Sequence, residues 1–275
     1  MYRIIITGLK EIVQITDRSD IEFLKGRDMA RIKVLSDPKN HLAVLVAMDG
    51  TIAAVGKLEE VLKVQNGQPV EGSLNTNGGI LLPGFVDGHS HPVFAGDRVH
   101  EFAMKLAGAT YMEVQAAGGG IHFTTEKTRE ATEGSLVEDF KKIAHVMLQN
   151  GTTTLEAKSG YGLNTESELK MLRVLDRVND DTPLEISATF CGGHAVPKAR
   201  AMSHLEEISD EGIRGMAKSG TVAVVLPSTA FILRLTPPPV RKMIENGVIV
   251  ALGSDFNPNA YCLAMPMIMH LGERL

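Results

Sequence analysis

Hydrophobic and turn-forming residues alternate at short intervals over the first eighty residues. Apolar runs at 43–48 and 51–55 flank Asp49-Gly50, a pair that readily adopts the positive φ angles of a tight turn. This pattern predicts a β-hairpin. Asparagine, glycine and glutamine are frequent between Pro69 and Gly79, which indicates the passage to a different module. We therefore predict a small β domain over residues 1–80.

A repeating pattern of strand, loop and helix begins at Gly79. Short apolar runs predict six strands, which end near Asp87, Glu156, Phe190, Ser203, Leu226 and Leu252. Amphipathic or capped segments predict helices over 136–148, 166–178, 209–220 and 237–246. Repeated βα units with apolar strands indicate a parallel sheet covered by helices, either a barrel or a doubly wound fold.

Polar side chains just beyond the carboxyl ends of these strands favour the barrel. They are His89 and His91, Glu156 and Lys158, His194, Ser203 and His204, and Ser254 and Asp255. A (β/α)8 barrel brings the carboxyl ends of its strands together at one mouth, where the active sites of this fold lie. We predict an α/β fold in which residues 81–275 form a (β/α)8 barrel with its site at that mouth.

Composition narrows the functional classes. The 275 residues carry 28 basic and 33 acidic side chains, scattered along the chain, with a formal net charge of −5; nucleic acid is therefore not an expected partner. Cys191 and Cys262 are too few for a disulfide framework and form no CxxC pair, so we expect free thiols. No apolar run approaches eighteen residues and the first residues lack a signal-peptide pattern, so we expect a cytoplasmic protein without a membrane anchor.

The sharpest chemical pattern is Asp87-Gly-His89-Ser-His91-Pro. Two histidines at i and i+2 at a strand end point to the same side, so both imidazoles can reach one cation. The alternative is a solvated histidine pair that binds nothing. The buried strand before the pair, the glycine before His89 and the proline after His91 favour a metal site.

Asp255 follows the last predicted strand, in Leu252-Gly-Ser-Asp-Phe-Asn-Pro. A carboxylate at this place could complete a metal shell and accept a proton from water. It could also form an Asx turn with Asn257 before a helix. His204 is a candidate ligand or proton shuttle, and the alternative is a surface or core histidine.

Glycine-rich loops and one arginine could contact a small ligand. Lys158-Ser-Gly-Tyr161-Gly and Gly192-Gly-His194 follow predicted strands, and they are either ligand loops or ordinary turns. Arg98 could hold a carboxylate bidentately, or it could be a surface charge. Gly118-Gly-Gly120 lacks the G-x-G-x-x-G spacing and a preceding strand, so a dinucleotide site is not expected.

Longer blocks of the sequence resemble the amidohydrolase superfamily and, within it, the imidazolonepropionase family. These blocks are Pro83-Gly-Phe-Val-Asp-Gly-His-Ser-His-Pro, Gly96-Asp-Arg-Val-His-Glu-Phe-Ala-Met-Lys-Leu-Ala-Gly-Ala-Thr-Tyr, Gly118-Gly-Gly-Ile-His, Lys158-Ser-Gly-Tyr-Gly-Leu, Ser203-His-Leu-Glu-Glu and Gly253-Ser-Asp-Phe-Asn-Pro. The resemblance covers nearly the whole chain. It implies hydrolytic opening of 4-imidazolone-5-propanoate to N-formimidoyl-L-glutamate in histidine degradation.

The resemblance also implies a role for each candidate residue. His89, His91 and Asp255 match the family's ligands to one divalent ion, zinc or iron, and Asp255 also matches the residue that takes a proton from water. His204 matches a catalytic histidine that polarises the carbonyl group. The matches to substrate-binding positions are Arg98, for the propanoate, with Tyr161, His194 and Asn257. A small-molecule substrate and a second copy of the chain, in a homodimer, are the implied partners.

The chain departs from the family pattern between the loop of His194 and the strand of Ser203. Family members carry there a further metal-ligating histidine, followed three residues later by a catalytic glutamate, and the passage from Lys198 to Met202 leaves no room for them. Six predicted strands, against the eight of a barrel, agree with the absence of two βα units.

The family also completes the amino-terminal β-sandwich with strands that follow the barrel, whereas this sequence stops at Leu275. Two alternatives to an active imidazolone hydrolase stay open. One is a shortened or alternatively spliced form without catalysis. The other is a hydrolase of a different cyclic amide or amidine.

Overall fold

A computed structural model describes residues 1–16, 18, 21, 24, 26–191 and 201–273. The chain divides into two compact units, Met1–Pro83 and Gly84–Leu275. The predicted deletion after Lys198 falls in 192–200, outside the described residues. No helix in the described part of the chain has the length and apolar character needed to cross a membrane.

The first unit contains two small β-sheets. Its strands are β1 (Tyr2–Leu9), β2 (Glu11–Gln14), β3 (Lys33–Ser36), β4 (Leu42–Ala47), β5 (Ile52–Lys57), β6 (Val70–Asn75) and β7 (Ile80–Leu81). The strand orders are β5-β4-β1-β6 and β3-β2-β7. A short 3-10 helix (Gly26–Ala30) and helix α1 (Leu58–Gln65) complete this unit.

Strand β4 is the centre of the first unit because its two faces are both buried. Leu42 and Val44 pack with Ile12 of β2, whereas Ala43 and Leu45 pack with Val61 of α1. The predicted hairpin is confirmed, since β4 and β5 pair antiparallel. In its turn, the Asp49 side chain accepts hydrogen bonds from the backbone N–H and the hydroxyl of Thr51, at 2.9 and 2.7 Å.

Among its described residues, the second unit has six parallel strands with helices between them, as predicted. The strands are β8 (Phe85–Ser90), β9 (Thr152–Lys158), β10 (Glu185–Thr189), β11 (Ala201–Ser203), β12 (Val222–Val225) and β13 (Val250–Leu252). They form two three-stranded sheets, ordered β10-β9-β8 and β11-β12-β13. The carboxyl ends of β8 and β13 meet, because the His91 N–H donates to the Phe256 carbonyl at 2.7 Å and the Asp255 N–H to the His89 carbonyl at 2.8 Å.

The pairing of consecutive strands is interrupted between β10 and β11 in the described residues. Consecutive strands pair on either side of this position, but among the described strands β10 and β11 do not pair with each other. Only residues 190–200 separate them, fewer than the dozen or more that a parallel crossover needs. The α/β class is confirmed. The described residues contain no closed barrel, and the barrel without two βα units stays a prediction.

The helices of the second unit cover the strands. They are α2 (Val99–Leu106), α3 (Tyr111–Ala116), α4 (Ile121–Glu130), α5 (Glu133–Gln149), α6 (Thr165–Asp181), α7 (Asp210–Ser219), α8 (Pro227–Leu233), α9 (Val240–Glu245) and α10 (Met265–Gly272). The predicted helices correspond to α5, α6, α7 and α9. The side chains of Thr132, Asn164 and Ser209 cap α5, α6 and α7 by accepting the backbone N–H of the third residue of each helix.

The main core of the second unit lies where α5 and α6 pack against β9. Phe140 of α5, Met171 and Leu175 of α6, and Leu155 of β9 are fully buried in one cluster. Helices α2 to α4 and α8 were not predicted, because their sequences lack a long apolar repeat. In α4, for example, the buried residues are the threonines Thr124, Thr125 and Thr128.

Candidate metal centre and adjoining cavity

Two histidines stand at the carboxyl end of β8. His89 belongs to the strand and His91 follows it, and their ring centroids lie 5.3 Å apart. Gly253 lets the chain after β13 approach this end, because a Cβ at Gly253 would lie 2.7 Å from the Cβ of His89. The short apolar strand and this glycine therefore place a buried imidazole, 6% exposed, beside the β13 loop.

Asp255 enters the same place from that loop. Its Oδ1 lies 3.6 Å from the Nε2 of His89, and its Oδ2 accepts a hydrogen bond from the Thr229 hydroxyl at 2.6 Å. One ligand atom from each of His89, His91 and Asp255 lies within 4.8 Å of the others. The structure thus brings the three predicted ligands together from two strand ends that are far apart in sequence.

The Asx-turn alternative applies to Asn257 and not to Asp255. The Asn257 side-chain oxygen accepts hydrogen bonds from the backbone N–H groups of Asn259 and Ala260, at 2.8 and 3.1 Å. Its amide donates to the Asp255 carbonyl at 2.6 Å. Asn257 therefore shapes the loop, and the carboxylate of Asp255 stays directed toward the histidines.

The histidine pKa values favour ligands in the neutral form. Burial, together with the charges of His91, Lys158 and His204, lowers the pKa of His89 to about 2. Burial also lowers the pKa of His91, although the charge of Asp255 opposes this. Neutral imidazoles keep the lone pair that a metal ligand needs.

The tautomer of His91 also suits a metal. Its Nδ1 lies 3.3 Å from the backbone carbonyl of Ser159, an acceptor only, so Nδ1 carries the hydrogen and the lone pair is on Nε2. Two neutral imidazoles and one carboxylate are the donors that zinc and ferrous iron accept. On donor chemistry and spacing, the cluster fits one divalent cation.

Asp87 fastens the two strand ends beneath the cluster. Its carboxylate accepts hydrogen bonds from the Ser254 hydroxyl at 2.5 Å, the Ser254 N–H at 2.8 Å and the His89 N–H at 3.2 Å. Burial raises the pKa of Asp87 to about 6, and the hydrogen bonds from Ser254 oppose that rise. These hydrogen bonds hold the backbone at His89 and at Ser254, the residue before Asp255, and so position both site residues.

A cavity of about 150 Å³ adjoins the cluster. Its lining residues are His91, Arg98, Ile121, Gly160, Tyr161, Asp255, Asn257 and Asn259. A dry cavity of roughly this volume holds one benzene-sized ring. The structure thus brings the predicted ligand-contacting residues Arg98, Tyr161 and Asn257 together with two members of the cluster.

Tyr161 and Arg98 give this cavity its polar groups. Tyr161 is buried, with its ring centroid 5.8 Å from that of His91, and burial raises the pKa of its phenol above the usual range. The phenol is therefore a hydrogen-bond donor at neutral pH. Arg98, 8% exposed, donates from Nε at 2.8 Å and from Nη2 at 2.5 Å to the Glu101 carboxylate. It is a buried charge and not a surface arginine.

His204 lies next to the cluster rather than within it. Its ring centroid is 6.0 Å from that of His89, and its Nδ1 is 3.9 Å from Glu206 Oε1. Its backbone has a φ of 70°, in the left-handed region, and the side chain is partly exposed. His194, the remaining predicted substrate residue, lies outside the described residues.

Three residues of this site were not given a role on sequence alone. Thr229 is 26 positions from Asp255 and no pattern connects them. Ser254 adjoins Asp255, but its partner Asp87 is 167 positions away. Glu101 could have been found, because it follows Arg98 at the i+3 spacing that places two side chains together on a helix.

No protein-family model matches the sequence. A protein from Nematostella vectensis named probable imidazolonepropionase is 40% identical over 353 residues, covering 98% of this chain and 82% of that protein. The protein of the same name from Mus musculus is 40% identical over 351 residues, with 98% and 81% covered.

Solved structures resemble the fold. An adenosine deaminase from Xanthomonas campestris with bound zinc superposes with a TM-score of 0.66 at 14% identity, over 98% of this chain and 73% of that one. A guanine deaminase from C. acetobutylicum gives a TM-score of 0.59 at 14% identity, over 97% and 77%.

At 14% identity, the solved structures show that this chain shares their fold. The class of protein follows from the two named relatives, which are 40% identical to this chain over 98% of its length. The chain belongs to the imidazolonepropionase family.

The alignments carry a large gap on this chain's side. The 353 positions aligned with the Nematostella vectensis protein exceed the 275 residues of the chain by 78. At least that many positions of the alignment therefore have no counterpart here.

Proposed function

We propose that the chain hydrolyses the cyclic amide of 4-imidazolone-5-propanoate to N-formimidoyl-L-glutamate, a step of histidine degradation. Membership of the imidazolonepropionase family supports the reaction. The observation that carries the proposal is the meeting of His91, Asp255, Arg98 and Tyr161 around one small cavity. Together these residues offer metal donors, a fixed cation and a phenol to a compact anionic heterocycle.

His89, His91 and Asp255 would hold one divalent cation, zinc or iron. Bound in such a site, the cation supplies Lewis-acid activation of water near neutral pH. Asp255 is the carboxylate close enough to receive the proton of that water. Its Oδ1 faces His89, and its Oδ2 accepts a hydrogen bond from the Thr229 hydroxyl.

The remaining residues would bind and orient the substrate. Arg98 would pair with the propanoate, because a guanidinium matches a carboxylate in geometry and charge. The phenol of Tyr161 would donate a hydrogen bond to the ring, and Asn257 and His194 would line its other sides. His204, beside His89, would polarise the carbonyl that is attacked.

We further propose that the six strands of the second unit are a (β/α)8 barrel without two of its βα units. The open position between β10 and β11 supports this reading. The domains would then be a β-sandwich half-domain over residues 1–80 and the incomplete barrel over 81–275. Two packed sheets in the first unit, joined through Ile12 and Leu42, support the half-domain.

The gap of at least 78 aligned positions favours one second candidate, a non-catalytic form of the same enzyme. In the described part of the chain, the potential metal-binding cluster consists of His89, His91 and Asp255. Three protein ligands suffice for zinc. The loss of a catalytic acid, however, would cost about 10² to 10⁴ in rate. Metal binding would then persist while turnover falls.

The test separates metal binding from turnover. The purified chain is loaded with zinc or iron, its metal content is measured, and consumption of the substrate is followed by ultraviolet absorbance. We expect about one equivalent of metal and measurable turnover, both lost in H89A. H145A, which removes an exposed histidine of α5, is the matched control and should retain both.

The outcomes distinguish the candidates. Stoichiometric metal without turnover supports the non-catalytic form. A folded chain with neither metal nor turnover overturns the proposed hydrolase and the metal-binding role of His89, His91 and Asp255, and leaves only a non-catalytic form. Turnover of other cyclic amides or amidines in preference to the imidazolone would assign the site to a different hydrolase of this class. Light scattering on the same sample tests the homodimer that the family resemblance implies.

A further inference from the structure

Arg98 separates two cavities of the second unit. It lines the site cavity with His91 and Tyr161. It also lines a second cavity of about 150 Å³, which contains Glu101 and the loop of Gly118 and Gly119. The guanidinium therefore has one side toward the site and another toward Glu101.

Glu101 binds Arg98 from the side of the second cavity. Arg98 ends the segment before α2 and Glu101 lies in the first turn of that helix, so the i+3 spacing places them together. Glu101 Oε2 accepts from Nε and Nη2, and both residues are buried, with Glu101 5% exposed. Among the described residues no hydrogen bond engages Nη1, and a guanidinium has five N–H donors.

The triple glycine supports the other oxygen of Glu101. Oε1 accepts the backbone N–H of Gly120 at 2.7 Å. A Cβ at Gly119 would lie 2.8 Å from this same oxygen, so the loop approaches the carboxylate as closely as a backbone can. Burial would raise the pKa of Glu101, but the hydrogen bonds from Arg98 and Gly120 outweigh burial and lower it. Glu101 is therefore ionised at neutral pH.

We propose that Glu101 is a positioning residue, supported by Gly118-Gly-Gly120, which fixes Arg98 so that its free edge receives the carboxylate of the substrate. This inference rests on the proposed function, because it takes Arg98 as the partner of the propanoate. It gives the triple glycine a role that does not involve a phosphate or a nucleotide.

The direction in which E101Q changes carboxylate affinity distinguishes a positioning role of Glu101 from simple charge balance. A negative charge beside Arg98 opposes the binding of a second carboxylate. If Glu101 only balanced charge, E101Q would strengthen carboxylate binding. If Glu101 holds the orientation of the guanidinium, E101Q weakens that binding, because a loosened arginine must be ordered when the ligand binds.

G119A tests the same point without changing any charge. The added methyl group would displace the Glu101 carboxylate from its present position. G134A is the matched control, because a Cβ at Gly134 in α5 meets nothing within 4 Å. Circular dichroism establishes which variants are folded, and if E101Q does not fold, G119A decides the question.

The experiment is calorimetric titration of the zinc-loaded chain with 3-(imidazol-4-yl)propanoate and with its uncharged primary amide. The ratio of the two affinities measures recognition of the carboxylate. We expect R98A to abolish this preference. E101Q and G119A should each reduce it about tenfold, the scale of one hydrogen bond to a charged group. G134A should leave it unchanged.

The results overturn the two proposals in different ways. An unchanged or larger preference in E101Q and G119A, with the preference abolished in R98A, overturns the role of Glu101 and leaves the function of Arg98 intact. Equal affinity of the wild-type chain for the acid and the amide overturns the assignment of the propanoate to Arg98, and the role of Glu101 with it.

Discussion

The junction of β8 and β13 differs sharply from the outer strands β10 and β11. At the junction, backbone hydrogen bonds connect His89 with Asp255, and the buried carboxylate of Asp87 fastens Ser254. The outer strands carry several exposed residues, among them Met202 of β11 at 44%, and beside them Phe190 is 63% exposed. Strands of a parallel sheet in an α/β protein are normally buried on both faces.

This difference separates binding from chemistry in the molecule. The three potential metal ligands of the described residues all lie at the junction. In the incomplete barrel proposed above, the missing βα units lie between the outer strands, where the resemblance implies a further ligand and a catalytic glutamate. On that proposal, the chain keeps a metal-binding cluster whose supporting hydrogen bonds do not involve β10 or β11.

The largest expected effect on stability comes from placing a lysine in buried β9, compared with the same substitution in the outer strand β10. Ala157 of β9 and Ala188 of β10 are partners in the same ladder, yet Ala157 is fully buried and Ala188 is exposed. A157K would bury an unpaired ammonium and should destabilise the chain by about 4 kcal/mol or prevent folding. A188K should change the free energy of unfolding by less than about 0.5 kcal/mol.

Urea unfolding of both variants measures this contrast. A188K should also reduce aggregation, because a lysine on an open strand edge discourages edge-to-edge pairing. A large loss of stability in A188K would show that β10 is covered in solution, and the two regions would then not differ as described.

The junction was predictable in outline, and its supports were not. The His-X-His spacing and an aspartate after the last strand suffice to predict that His89, His91 and Asp255 meet, because parallel strands share one carboxyl edge. The contact of Thr229 with Asp255 has no local signal, since it depends on how α8 sits against the β13 loop. Counting the predicted strands was enough to expect an incomplete barrel, with six strands instead of eight. The order in which the strands pair could be read only from the structure.

Removing the buried carboxylate of Asp87 is expected to cause the next largest loss of stability. D87A would leave the N–H and hydroxyl of Ser254 and the N–H of His89 buried without their acceptor. We expect a loss of about 3 kcal/mol in the free energy of unfolding and weaker zinc binding. Urea unfolding and competition with a chromophoric chelator measure the two effects.

The control for D87A is D176A, which removes an exposed aspartate of α6 and should alter neither quantity. Unchanged zinc affinity in a folded D87A variant would mean that the cluster keeps its geometry without the fastening, contrary to the role assigned to Asp87.

A smaller effect is expected when only the orientation of Asp255 is disturbed. T229V keeps the shape of the side chain and removes the hydroxyl that donates to Oδ2. Loss of such a supporting hydrogen bond should lower metal affinity about tenfold. It should change stability by only about 1 kcal/mol. T229S retains the hydroxyl and should bind zinc like the wild-type chain, and equal affinity in T229V would remove Thr229 from the support of the site.

The smallest effect concerns an exposed carboxylate of α7, which takes no part in the hydrogen bonds of the junction. Asp210 of α7 accepts a hydrogen bond from Lys242 of α9 at 2.6 Å, and both side chains are solvated. The hydrogen bond and charge of Lys242 lower the pKa of Asp210. Its stabilising contribution is therefore present above the ordinary aspartate pKa and is lost as the pH falls through the lowered value.

D210N should move the urea midpoint at pH 7 less than A157K, D87A or T229V, and high salt should shrink the difference further, because exposed ion pairs are screened. D87A should respond little to salt, because its carboxylate is buried. Measuring both variants at low and high ionic strength therefore tests whether burial accounts for the difference between the two aspartates. If D210N lowers stability as much as D87A does, and high salt does not reduce the loss, the contact between α7 and α9 contributes as much stability as the hydrogen bonds of the junction.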